Sequence, residues 1–260
     1  MSLIYKNKII AGNRAFTLLE LSVVLIIISV ILSTAISIGS TRIEAQRLKD
    51  TKNRIFLIDS AIKQYVLNYN RLPCPAVGSI AAPTPAAPAS AGFGEEARRT
   101  AGNKDCDTAL LTDNSLNIVS GIVPHKDLGI SPAAVLDGWE NNFTYVVDNR
   151  YTFEGSEVGL DGFMGQATAP EITINNSTAA NISSNGVYLL LSHGQNGFGA
   201  WPARGIARNP LPANFDVDFP LEDDNQENGA DFDINFVQTS HIENYDDIVF
   251  YRNKWQINID

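Results

Sequence analysis

The sequence predicts an α+β protein in which one long N-terminal helix packs on an antiparallel β-sheet head. Three observations carry that prediction. Leu21 to Thr41 holds no charged residue and is mostly Leu, Ile and Val. Beyond Thr41 the helical period continues but turns amphipathic. From Ile118 onward the pattern becomes strand-like, and the strands gather after the helix instead of alternating with helices.

An uncharged run of this length matches the hydrocarbon thickness of a bilayer when helical. It predicts a membrane-spanning segment, and no other part of the chain comes close to it. Glu20 stands just inside the run. A charge at the centre of a membrane helix costs about 2.5–3.5 kcal/mol, and less near an end, so this carboxylate needs a partner. The stripe Leu48, Ile55, Ile58, Ile62, Tyr65 and Tyr69 recurs at the spacing of one helix face, with Arg47, Lys49, Lys52, Asp59 and Lys63 on the others. The expected helix runs from Phe16 to Tyr69, ~80 Å long. Pro73 and Pro75 then end it.

Asn142–Val147, Glu171–Ile174, Gly186–Ser192, Ile248–Tyr251 and Trp255–Ile259 have strand composition. Gly186–Ser192 is almost wholly apolar and reads as a central strand. Between helix and strands lies a Pro/Ala-rich stretch, Ala81 to Gly92, that reads as a spacer loop.

The formal net charge is −10, and it comes entirely from residues 216–260, which carry 12 acids against two bases. Such a surface repels nucleic acid and attracts cations or basic partners. Cys74 and Cys106 follow the apolar run, where an oxidising compartment would allow a disulfide worth about 3–4 kcal/mol. His125, His193 and His241 show no ligand spacing. Asp223, Asp224, Glu227, Asp231 and Asp233 crowd one short stretch, and Ca²⁺ takes six to eight oxygens from such loops. The EF-hand register fails, because Gln226 and Asn235 occupy ligand positions. Gly194 to Gly199 matches neither phosphate-loop spacing, and no catalytic constellation stands out, so the chain is not expected to be an enzyme.

Arg14-Ala15-Phe16-Thr17-Leu18-Leu19-Glu20, followed by the apolar run, resembles the processing motif of type IV pilins and type II secretion pseudopilins. The resemblance implies that a prepilin peptidase cuts between Ala15 and Phe16, that Phe16 is N-methylated, and that Glu20 attracts the Phe16 amine of a neighbouring subunit. Ala15 departs from the family's usual glycine. Asp137-Gly138-Trp139, Ser192-His-Gly-Gln-Asn196-Gly197 and Tyr245-Asp246-Asp247-Ile248 are similar to later pseudopilin elements. They imply an alternative calcium set of Ser192, Asn196, Asp246 and Asp247.

The implied organisation is a leader (1–15), a transmembrane half-helix (16–41), an amphipathic half-helix (42–72), a loop closed by Cys74 and Cys106 (73–106) and a pilin-like β-rich head (107–260). The implied function is a structural subunit of a type II secretion pseudopilus or related type IV filament. It would sit in the inner membrane with its head in the periplasm and meet other pilin-like subunits and the inner-membrane assembly platform. The alternative is a membrane-tethered extracellular binding or adhesion protein that does not polymerise.

Overall fold

The computed structural model describes residues 17–83, 90–99, 106–107, 110, 117–153, 162–165, 168–204, 206–225, 234–242 and 244–257. The side chains of residues 32–41, 162 and 164 also lie outside the description. The chain divides into two compact units, Met1–Gln46 and Arg47–Asp260.

Helix α1 runs Leu18–Tyr69. It stops where Asn70 turns left-handed (φ 51°), its N–H donating to the Val66 carbonyl at 2.7 Å. Asn tolerates that conformation better than most side chains, so the helix ends before either proline is reached. In the first unit Leu18 to Ile31 are exposed. In the second unit Ile55, Ile58, Ile62, Tyr65 and Val66 are buried. Leu48 and Tyr69, the ends of the expected stripe, are instead exposed.

The strands are β1 (Ile118–Ile122), β2 (Asn141–Asn142), β3 (Thr144–Asp148), β4 (Ile172–Asn175), β5 (Asn181–Ser192), β6 (Trp201–Pro202), β7 (Asn235–Val237) and β8 (Ile248–Asn253). The main sheet has the order β1-β3-β5-β4-β7, with β8 also pairing β5. Side chains alternate along β3 and β5. Tyr145, Val147, Tyr188 and Leu190 join the core built on Ile55, Ile58 and Ile62 of α1. Val146, Leu189 and Leu191 join a second core with Ile172, Ile174, Phe236 and Val249. Both faces of β5 are therefore buried from Gly186 to Ser192, which is why this part of its sequence reads as a continuous apolar run and not an alternating one.

Two expectations are corrected here. The sheet is mixed and curled, not antiparallel: β7 runs parallel to β4, with Ile174 opposite Phe236. A pilin-like helix laid on an antiparallel sheet is not what this chain builds. Among the described residues no helix is long and apolar enough to cross a membrane. The expected single inner-membrane pass, with the head in the periplasm, is corrected on that finding. Trp255 and Gln256, the start of the expected Trp255–Ile259 strand, do not form one either, and Asn258 and Ile259 lie outside the described residues. Lys254–Gln256 forms a 3₁₀ turn in which the Asn253 and Gln256 side chains cap each other's backbone, satisfying donors that a strand would have offered to a neighbour.

Asp59 ties α1 to the sheet. Its two oxygens accept from Arg252 Nε and a terminal Arg252 nitrogen at 2.9 and 2.8 Å, and it also accepts from the Tyr188 hydroxyl. Lys63 lies 3.1 Å away. Removing one member of a buried, hydrogen-bonded charge pair leaves the other uncompensated. Asp59→Ala is expected to destabilise the second unit by about 2–3 kcal/mol, less than a fully buried pair would because Arg252 reaches solvent. A denaturant midpoint unchanged from wild type would show that the network is dispensable.

Candidate metal centre and helix terminus

The chain leaves β5 at Ser192 and turns back through Gly194 and Gly197, whose φ angles are +55° and +63°. At Gly194 a side chain is excluded twice over. The conformation is left-handed, and a Cβ would lie 2.4 Å from the Asp246 carbonyl oxygen. The close approach lets the loop dock on Asp246. The Asn196 N–H donates to Asp246 Oδ2 at 2.8 Å. The Asn196 amide donates to both oxygens of Glu222, at 3.0 and 2.8 Å. The Asp246 N–H donates to Glu222 Oε1 at 2.9 Å. Asn225 Nδ2 donates to Asp247 Oδ2 at 2.9 Å.

Glu222, Asp246 and Asp247 thus each present an oxygen within 4.8 Å of the others. Burial pushes the Glu222 carboxyl up to about 7, and the neighbouring Asp246 charge adds to it. Burial, with the Glu222 charge behind it, raises Asp247 well above the usual carboxylate range. Asp246 Oδ1 is buried without a hydrogen-bond partner. Three crowded carboxylates in such a place are neutralised either by protons or by a cation. Oxygens about 2.4 Å from one Ca²⁺ can lie at most about 4.8 Å apart, so the spacing fits a hard divalent ion.

The residues named from sequence fall out unevenly. Asn196, Asp246 and Asp247 come together. Ser192 does not join them; its hydroxyl donates to Asp137 Oδ2 at 2.7 Å. Asp223 and Asp224 lie beside Glu222 but outside the group, and Glu227, Asp231 and Asp233 lie outside the described residues. Glu222 was missed, although it opens the acidic stretch that drew attention. The short helix Pro220–Asp223 carries it inward, and four residues give no periodicity from which to read which acid turns in.

Asp137 is an organiser of the same end of the sheet. Its Oδ1 accepts from the Trp139 and Asn141 N–H groups, both at 2.9 Å. Gly138 packs so tightly on α1 that a Cβ would lie 2.3 Å from the Arg47 carbonyl oxygen. The Gly138 N–H meets Thr51 Oγ1 at 2.9 Å. The Asp137-Gly138-Trp139 segment therefore acts as a joint between helix and sheet.

At the other end of α1, Ala15 and Phe16 lie outside the described residues. Glu20 is exposed, and its Oε2 accepts from both the N–H and the hydroxyl of Thr17 at 3.0 Å. The Glu20 N–H donates back to Thr17 Oγ1 at 3.2 Å. This reciprocal pairing is a capping box, legible in Thr17-Leu18-Leu19-Glu20 and missed. Cys74 and Cys106 form a disulfide with Cα atoms 5.4 Å apart, both fully buried.

No protein-family model matches the chain, and no curated protein and no solved structure matches it significantly.

The centre makes a direct prediction. Ca²⁺ is expected to raise the thermal midpoint of the metal-stripped protein at pH 7.5, and less at pH 5.5, where protons compete for Glu222 and Asp247. Asp247→Asn is expected to abolish the response. A midpoint that ignores Ca²⁺ at both pH values would leave the carboxylates neutralised by protons alone.

Proposed function

We propose that this chain is a structural subunit that polymerises through the N-terminal part of α1, in a type II secretion pseudopilus or a related type IV filament. The reading rests on the N-terminal motif and the helix it opens, not on the architecture of the sheet. One observation supports it most. Leu18, Leu19, Leu21, Leu25, Ile26 and Ile27 are all more than half exposed on one helix. An apolar surface of that extent needs a covering partner. Other copies of the same helix supply one, and a processing motif just ahead of it supplies the step that makes such a helix available.

The capping box sharpens the role of Glu20. In the free subunit Thr17 satisfies the carboxylate, which keeps it ordered at the first turn. In the filament the amine of a neighbouring subunit's Phe16 takes the same oxygen, giving an ion pair of opposite charges in place of hydrogen bonds from neutral donors.

Intact mass from cells with and without a prepilin peptidase tests the processing. Loss of residues 1–15 plus one methyl group supports it, and an unprocessed chain in both strains rejects it. Glu20→Gln tests the assembly, because glutamine keeps the capping box while deleting the charge. Cleavage should continue, and filament yield should fall at least about tenfold, the value of one charge-assisted contact. Wild-type yield from the glutamine variant would remove the carboxylate from the mechanism.

A further inference from the structure

The outward face of α1 in the second unit carries exposed apolar side chains. Phe56 is 57% exposed and Leu57 45%. Lys49 and Lys52 are exposed beside them and, among the described residues, make no ion pair. Phe56 is not loose. Phe250 of β8 meets it edge-on at 6.0 Å, and the Arg252 guanidinium sits 4.7 Å from the Phe250 ring centre. The result is a fixed aromatic ledge flanked by positive charge.

A surface of the opposite kind stands elsewhere on the second unit. On the short helix Phe215–Asp218, Val217 is 72% exposed between the exposed carboxylates Asp216 and Asp218. Beneath it Phe215 is buried, stacked on Phe219 at 5.5 Å and edge-on to Phe198 at 5.8 Å. That stack holds the apolar tip and its two acids at a fixed position.

We infer that these two surfaces dock on each other between copies: the Lys49–Lys52–Phe56 face of one chain receives the Asp216–Val217–Asp218 tip of the next. The charge complementarity selects the second copy as occupant. The basic face of α1 lies on a chain whose residues 216–260 hold 12 acids against two bases, so the acidic partner is supplied by the protein itself. The contact uses different patches on the two copies. Such heterologous contacts propagate instead of closing into a symmetric dimer. The inference deepens the filament reading by naming a second seam, on the second unit and not on the N-terminal part of α1.

Disulfide trapping on the full chain tests it. Phe56→Cys and differently tagged Val217→Cys proteins are mixed at low salt under mild oxidation. The mixed pair is expected to cross-link, and each variant alone is not. Lys49→Glu with Lys52→Glu should lower the cross-linked yield at least about tenfold by placing like charges opposite each other. Adding Asp216→Lys and Asp218→Lys to the other copy should restore it. All the changed residues are exposed, so matching unfolding midpoints are expected to accompany them. A dominant Phe56–Phe56 cross-link would overturn the inference in favour of a symmetric contact, and a yield indifferent to charge reversal would overturn it outright. Filaments that form without the mixed cross-link reject this seam alone. A mixed cross-link in a chain whose leader is never cut rejects the filament reading alone.

Discussion

Replacing Cys74 and Cys106 together with alanine is expected to lower stability by about 3–4 kcal/mol while leaving the native fold in place. The two cysteines are 32 positions apart, and in the chain-entropy model most of the effect of such a cross-link lies in the unfolded ensemble, which the bond keeps from expanding. The native side has its own ties across the same region. Arg71 makes two hydrogen bonds to Glu96, at 2.9 and 3.0 Å. The Cys74 N–H donates to Glu96 Oε1 at 2.7 Å, and the Ala97 N–H donates to the Pro75 carbonyl at 3.1 Å. These contacts hold residues 71–76 against 93–97 without the sulfur bridge. The expected signature is thus an unchanged circular dichroism spectrum with a lower urea midpoint. A loss under about 1 kcal/mol would mean that the unfolded chain is already compact across this loop.

The parts of the fold that sequence made legible are those with a strong repeating pattern. α1 could be read because its apolar positions recur over many turns, and Gly186–Ser192 because seven nearly apolar residues have one comfortable place, the middle of a sheet. β7 could not be read. Asn235-Phe236-Val237 is too short to show a period, and its parallel pairing sets Phe236 opposite Ile174, a residue far away in the chain. That one strand makes the sheet mixed. Trp255 and Gln256 differ for the opposite reason: the alternation that begins at Trp255 is strand-like, but the Asn253–Gln256 pairing offers a local alternative to a ladder.

The candidate metal site shows the same limit. Asp246-Asp247 and the Asn196 turn were named through their likeness to pseudopilin elements. Their assembly with Glu222 was not, because it joins positions separated by a whole strand and two short helices. The acidic stretch was noticed for its crowding, yet among its described acids only Glu222, at its edge, reaches the group. In both cases the residue types announce a chemistry, and the pairing of distant segments decides which residues perform it.

Acid is expected to weaken the fold through His193, in a window fixed by burial. The ring is 1% exposed and its Nε2 lies 2.9 Å from Thr144 Oγ1. Burial, with the Arg208 charge adding, pushes the imidazole down to about 3. The unfolded chain titrates near 6.5. Between these values only the unfolded state takes up the proton. The stability is fully present above pH 6.5 and is lost as pH falls toward 3, by on the order of 3 kcal/mol at pH 4. His125 adds a smaller loss of the same sign, since burial and Lys126 lower it and its Nδ1 is buried without a hydrogen-bond partner. Asp137, Asp148 and Asp247 act against both. Burial raises their carboxyls, so the folded state binds protons first and gains stability on acidification. The wild-type curve is therefore flattened, and the difference from a variant is the quantity to measure. His193→Gln keeps a partner for Thr144 and removes the titration. Its deficit relative to wild type at pH 7 should shrink or reverse by pH 4 when urea midpoints are compared at each unit of pH. A difference that stays constant from pH 7 to pH 4 would mean that His193 does not take up a proton on unfolding.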